Sequence, residues 1–279
     1  MDVLMHIGGV VLHDVALWYG VFSSPYYPHR NGYAVDMYFE DEALFPFLEG
    51  LVLEVRSIDT PMNRPDAEKE DFLIIVWLGG PYVVKILHVK PSVKPFERIY
   101  LGDCLGRLAL SGYLPPWGER HMHIEVRPIF DRYRVRNGLR IKLVLLRRDV
   151  ASANIVDRLL AEVVDMTRSF ALLRPVEPDT YGITPLHVDK EYIEGVVPLY
   201  GYYSIYSTNR GVLDLGTFRA STVTVARETG RIADDRRNTY KGIGAYVLRP
   251  YIKLILHPNK TYDLRVGDVV ELYLNELLH

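Results

Sequence analysis

The first half of the chain alternates short apolar runs with turn-forming residues. Residues 10–12, 33–39, 51–55, 72–78, 82–87, 105–110, 121–126 and 141–146 are rich in Val, Ile, Leu, Tyr or Phe, with Gly, Pro, Asn and Asp between them. Runs of this length and makeup predict strands, so residues 1–150 read as an antiparallel β domain of sandwich or barrel-like form. The stretch 59–71, with two prolines and five acidic residues, reads as a solvated surface loop. A different spacing follows. Ile155, Leu159, Val163, Met166 and Phe170 recur at helical intervals, Ser152 stands where a cap belongs and Arg174-Pro175 supplies a stop, which predicts a connecting helix over 151–174. Strand-like runs return at 199–206, 221–226, 246–256 and 269–274, so residues 175–279 read as a second β-rich domain. The expected fold class is mainly β.

One strand carries chemistry on its pattern. In residues 117–128, His121, His123, Glu125 and Arg127 alternate with Met122, Ile124 and Val126. Side chains two apart on a strand share a face, roughly 7 Å from one another, so His121 and His123 point the same way while the apolar set enters a core. Two imidazoles on one face suit a borderline metal such as zinc, whose catalytic sites use three protein ligands and leave a fourth position open. Glu125 reads as a partner for Arg127 or for a neighbouring strand.

Composition narrows the ligand set. Cys104 is the only cysteine, which excludes an internal disulfide and a cysteine-based zinc site, so His and carboxylates must hold any metal. Asp36 interrupts a strand-like run between Val35 and Met37, where a carboxylate is depleted and costly to bury without a positive partner. His29 precedes it across Asn31-Gly32, where a turn could fold the chain back beside Asp36 and complete a His29, Asp36, His123 site. The histidines at 6, 13, 187, 257 and 279 carry no such pattern, and the Arg147-Arg148 pair reads as a solvated turn.

The formal net charge of −2 comes without a basic, aromatic-interleaved stretch, which argues against nucleic acid as a partner. The first residues lack a cationic leader and an uninterrupted apolar run, so neither membrane insertion nor secretion is expected and the compartment expected is the cytoplasm. Glutamine is absent, and with one Cys and abundant Arg, Glu and Tyr the composition points to a thermophilic source.

Over residues 10–130 the order of these motifs resembles the lysostaphin-type zinc metalloendopeptidases, which cut glycine-containing cross-link peptides of bacterial cell walls. His29 before Gly32-Tyr-Ala-Val-Asp36 is similar to the family's His followed by Gly-x-Asp. Pro46-Phe-Leu-Glu-Gly50-Leu-Val, the strand ending at His88-Val89, and Ile99-Tyr-Leu-Gly102-Asp-Cys-Leu-Gly106 follow in the family's order. His121-Met-His-Ile-Glu-Val-Arg127 is similar to its His-Leu-His-Phe-Glu-Val-Arg. The resemblance implies an antiparallel β fold with zinc ligands His29, Asp36 and His123 and catalytic His88 and His121. It also implies a peptide or peptidoglycan-like substrate. The chain departs from the family in a longer His29-to-Asp36 interval, in a second domain that is no typical wall-binding module, and in the missing secretion signal.

Three other readings compete. The same scaffold serves as a catalytically silent metal-binding or assembly module. A cupin-type metal site also displays His-x-His, but its Glu follows four or five residues later, where this chain has Arg127 and Pro128. Finally, Tyr200, Tyr202, Tyr203 and Tyr206 in the second domain suit oligomerisation or carbohydrate contact.

Overall fold

Strands make up most of the protein, a computed structural model that describes residues 2–143, 150–155, 158–189, 191–206 and 231–275. The chain divides into two compact units, Met1–Tyr19 with Tyr26–Leu145, and Gly20–Pro25 with Leu146–His279.

The first unit is organised by a seven-stranded sheet. Its members are β1 (Trp18–Gly20), β2 (Val35–Tyr38), β3 (Glu49–Asp59), β4 (Glu70–Trp77), β5 (Tyr82–Leu87), β6 (Arg98–Tyr100) and β7 (Met122–Pro128), in the spatial order β6-β3-β4-β5-β7-β2-β1. The pairs from β6 through to β2 are antiparallel. Two three-stranded sheets accompany it, one of Ile141–Leu143, Val3–Ile7 and Val10–His13, the other of Glu42–Leu44, Cys104–Leu108 and Val89–Pro91. Ile74, Val76, Val84, Ile86, Ile124 and Val126 are fully buried in the central strands, as the apolar runs predict.

Gly106 shows how closely backbones meet in the smaller sheet. Its φ is +140°, and a Cβ there would lie 2.0 Å from the carbonyl oxygen of Lys90. Neither the backbone conformation nor the contact tolerates a side chain, and the opposing atom is main chain that cannot rotate away. Gly106→Ala is expected to cost about 2 kcal/mol or more, read as a fall in the thermal midpoint of several degrees. An unchanged midpoint would contradict the packing described.

The second unit is a twelve-stranded sheet, antiparallel except where Val150–Asn154 runs parallel to Leu186–Val188. Here the predicted connecting helix over 151–174 is wrong. That segment forms Val150–Asn154, β8 (Arg158–Met166) and β9 (Phe170–Pro175). Ser152, read as a helix cap, is buried inside the first of these strands. Leu159 and Val163 are four apart, an interval common to helix and strand, but Ala161 between them is buried as well, while Leu160, Glu162 and Val164 are half-buried. That alternation is a strand's. The turn that joins β8 to β9 has neither Gly nor Pro. The Thr167 Oγ1 accepts from the backbone N–H groups of Ser169 (3.2 Å) and Phe170 (3.1 Å), and its own N–H donates to the Phe170 carbonyl (2.8 Å).

The domain limits shift accordingly. The strands of the 151–174 segment belong to the second sheet, where β8 pairs with Val269–Asn275 and β9 with Ile252–Ile255. Gly20–Pro25 also joins this unit, because the buried Glu194 carboxylate accepts from the backbone N–H groups of Val21 (2.5 Å) and Phe22 (3.0 Å). The strand expected at 221–226, the Arg147-Arg148 turn and the end of the strand expected at 141–146 lie outside the described residues. Among the described residues, no helix is long and apolar enough to cross a membrane.

Candidate metal centre

Strand pairing brings the first two members of the site together. In the β7–β2 ladder His123 stands opposite Asp36, and paired residues in a sheet share a face. His123 Nδ1 is 2.9 Å from Asp36 Oδ1. His121, just ahead of β7, lies on the same face as the alternation requires, with its Nε2 3.3 Å from the same oxygen.

His29 arrives from a single helical turn, Tyr27–Arg30, with Pro28 at its start. Gly32, at φ +65°, ends the turn, with its N–H donating to the His29 carbonyl (3.1 Å) while that of Tyr33 donates to Pro28 (2.8 Å). The chain thus doubles back before β2 and delivers His29 Nε2 to within 3.2 Å of Asp36 Oδ1 and 3.2 Å of His123 Nδ1. The long interval to Asp36 is absorbed by this turn.

His29, Asp36 and His123 are all buried, and one donor atom from each falls within a mutual 4.8 Å. A tetrahedral zinc ion with bonds of about 2.0–2.1 Å holds its ligands about 3.3 Å apart. The three separations of 2.9, 3.2 and 3.2 Å are of that size. Two nitrogens and a carboxylate oxygen form a donor set that suits zinc, so the residues fit the group that the sequence implies.

Electrostatics act in the same direction. Burial works to protonate Asp36, but the charges of His121 and His29 and hydrogen bonds from His121 and His123 overcome it and hold the carboxyl well below the usual carboxylate range. Burial lowers the pKa of His123, whereas its bonds to Asp36 and Glu125 raise it, and the net is upward. A proton would therefore compete with any cation at Nδ1, so a metal held there would bind less tightly as the pH drops.

The polar face of β7 is enclosed along its whole length. Glu125 is 1 % exposed and Arg127 0 %. Glu125 Oε1 accepts from Lys85 Nζ (2.9 Å) and from His123 Nε2 (3.4 Å), and its Oε2 accepts from Arg127 Nη1 (2.6 Å). Both partners expected for it, Arg127 and a neighbouring strand, are therefore present. The bond to His123 leaves Nδ1 as the nitrogen turned to Asp36, the outer support typical of a metal-binding imidazole.

His88 and His121 flank this group. Their rings are 5.2 Å apart, and His88 is 6.0 Å from the ring of His123. His121 donates from Nδ1 to the Glu119 carbonyl (2.8 Å), which leaves Nε2 for the site. Tyr38 packs 5.3 Å from His121 and stacks on Trp18, while Tyr33 lies against Tyr27.

Sequence reasoning missed Asp71, placing it in a solvated loop. It is 1 % exposed and belongs to β4, where it binds His88 and Ser111. The signal was available: Asp71 adjoins an apolar strand run as Asp36 does, and the same cost of burying a carboxylate applies. Its cluster of acidic neighbours concealed it.

No curated protein matches the chain. Residues 9–143 match a family described as a domain of unknown function (DUF8155), N-terminal domain, and that range includes His29, Asp36, Asp71, His88, His121 and His123.

Proposed function

We propose that the first unit is a zinc-dependent peptidase that hydrolyses a peptide bond, with glycine-containing peptides as the substrate class. The observation that carries this reading is the meeting of His29, Asp36 and His123 at ligand spacing with two further imidazoles beside them. Zinc held by these three side chains would supply a Lewis acid, lowering the pKa of water toward neutrality and polarising the scissile carbonyl.

The chain's own residues handle the protons. Burial lowers the pKa of His88, and the nearby His121 and His123 add to this against the opposing pull of Asp71, so the ring is neutral at physiological pH. A neutral imidazole accepts a proton from water and later returns it to the leaving amine. His121, tied through Nδ1 to the Glu119 carbonyl, uses Nε2 to orient that water.

The test is hydrolysis of a panel of glycine-containing peptides by zinc-loaded protein and by His88→Ala and His121→Ala. Both variants are expected to retain zinc while the rate falls by about 10²–10⁴-fold. Zinc retained by the wild-type protein with no hydrolysis of any peptide would favour the silent metal-binding module. Hydrolysis that is unchanged in both variants would refute the roles assigned to these histidines.

A further inference from the structure

His88 sits in an unusual backbone conformation for a residue with a side chain, at φ +65°. Its backbone and its ring are both held by one carboxylate. Asp71 Oδ1 accepts from the backbone N–H groups of His88 (3.0 Å) and Phe72 (2.7 Å), and Oδ2 accepts from His88 Nδ1 (2.5 Å) and Ser111 Oγ (2.8 Å). Asp71 and Ser111 are themselves buried, at 1 % and 0 % exposure. Non-glycine residues in this backbone region persist only where their surroundings hold them, and they gather at functional sites.

The hydrogen-bond count determines where the imidazole proton lies. An ionised carboxylate only accepts. All four neighbours must therefore donate, and for the imidazole this means a proton on Nδ1. Nε2 is left with its lone pair and is the only ring nitrogen available to the centre that His121 and His123 adjoin.

We propose that Asp71, braced by Ser111, is a positioning residue that fixes His88 in its Nδ1-protonated tautomer, so that Nε2 is presented as a proton acceptor. The catalytic consequence rests on the peptidase reading; the tautomer does not.

The amide variant tests it on a single atom. In Asp71→Asn the backbone N–H groups of His88 and Phe72 cannot become acceptors, so the amide oxygen must stay at the Oδ1 position. The amide NH₂ then replaces Oδ2 and faces His88 Nδ1 and Ser111 Oγ. Nδ1 has to accept, and the ring proton moves to Nε2. The shape of the site is unchanged.

The tautomer is read from the ¹⁵N shifts of the His88 ring in long-range ¹H–¹⁵N spectra, assigned with a His88→Phe variant. The wild-type protein is expected to carry its proton on Nδ1, Asp71→Asn on Nε2, and Ser111→Ala on Nδ1 as in the wild type. Zinc content should be equal in all three. Where hydrolysis is measured, kcat in Asp71→Asn should fall by about 10³-fold or more with KM little changed, as when the orienting aspartate of a Ser-His-Asp triad becomes asparagine. A wild-type ring protonated on Nε2 overturns the proposal without need of any variant, and so does an Asp71→Asn ring still protonated on Nδ1. The expected tautomers without hydrolysis of any peptide uphold the proposal and count against the peptidase reading alone.

Discussion

Asp36→Ala is expected to lose zinc retention altogether at stoichiometric metal. Its Oδ1 is the atom on which His29, His121 and His123 converge, at 3.2, 3.3 and 2.9 Å, and its removal takes away the only anionic donor of the three-residue set. Outer-sphere changes alone cost about 10–100-fold in metal affinity, so loss of a direct ligand should cost at least about 100-fold. Two measurements read the effect. Elemental analysis after equilibration with one equivalent of zinc should find the metal in the wild-type protein and not in the variant. The zinc-dependent rise of the melting midpoint, which follows from binding to the folded state only, should vanish with it. Equal metal content in both proteins would remove the proposed centre.

The second large effect is expected at Glu125. This side chain neutralises Lys85 and Arg127, and all three are held within the protein, Arg127 completely. Glu125→Gln preserves the volume but takes from Lys85 and Arg127 the carboxylate they share, leaving Arg127 only Asp131 at 4.0 Å, and removing one member of a buried ionic group costs about 3–5 kcal/mol. Denaturant unfolding of the first unit should register a loss of that size. The pH dependence gives an independent check. Burial works to raise the Glu125 pKa, but the hydrogen bond and charge of His123 and the Lys85 ammonium outweigh it and bring the carboxyl down from 4.5 to about 2. A carboxyl whose pKa is lower in the folded than in the unfolded state stabilises the fold fully above its unfolded value and loses that contribution as the pH falls through its folded value. The wild-type protein should therefore lose on the order of 3 kcal/mol between pH 4.5 and 2 through this group. In Glu125→Gln that part of the acid slope should be missing. Identical acid slopes in the two proteins would contradict the ion group described. Because Glu125 also accepts from His123 Nε2, the variant should weaken zinc binding by about 10–100-fold, less than Asp36→Ala.

The candidate site was legible to different depths. His121 and His123 could be placed on one face from their spacing alone, because a strand leaves a side chain no other choice. Asp36 stood out because a carboxylate inside an apolar run demands a partner. His29 was harder: its approach depends on one helical turn closed by Gly32, a device announced by Asn31-Gly32 but not measurable from it. Asp71 was passed over because its partners, His88 and Ser111, are 17 and 40 residues away, and the acidic residues before it masked the one local sign, its place at the edge of an apolar run. Glu125 was read as an ion-pair partner, while its bond to His123 emerged only with the side chains in place.

Taken alone, the amino-acid order determined that the protein is built mainly of strands, which side chains share a face of β7, and that any metal would have to be held by histidine and carboxylate in place of cysteine. These are local properties, set by the two-residue period of a strand and by composition. The tertiary structure decided the rest. It made strands of the segment over 151–174, since Leu159 and Val163 satisfy both periods and only burial of Ala161 between them separates the two. It drew Gly20–Pro25 into the second unit through the buried Glu194 carboxylate, and it set Asp36 opposite His123 by a register across 87 residues of chain. Pairing of this kind depends on which distant backbone supplies the missing hydrogen-bond partners, and no stretch of sequence carries that information by itself.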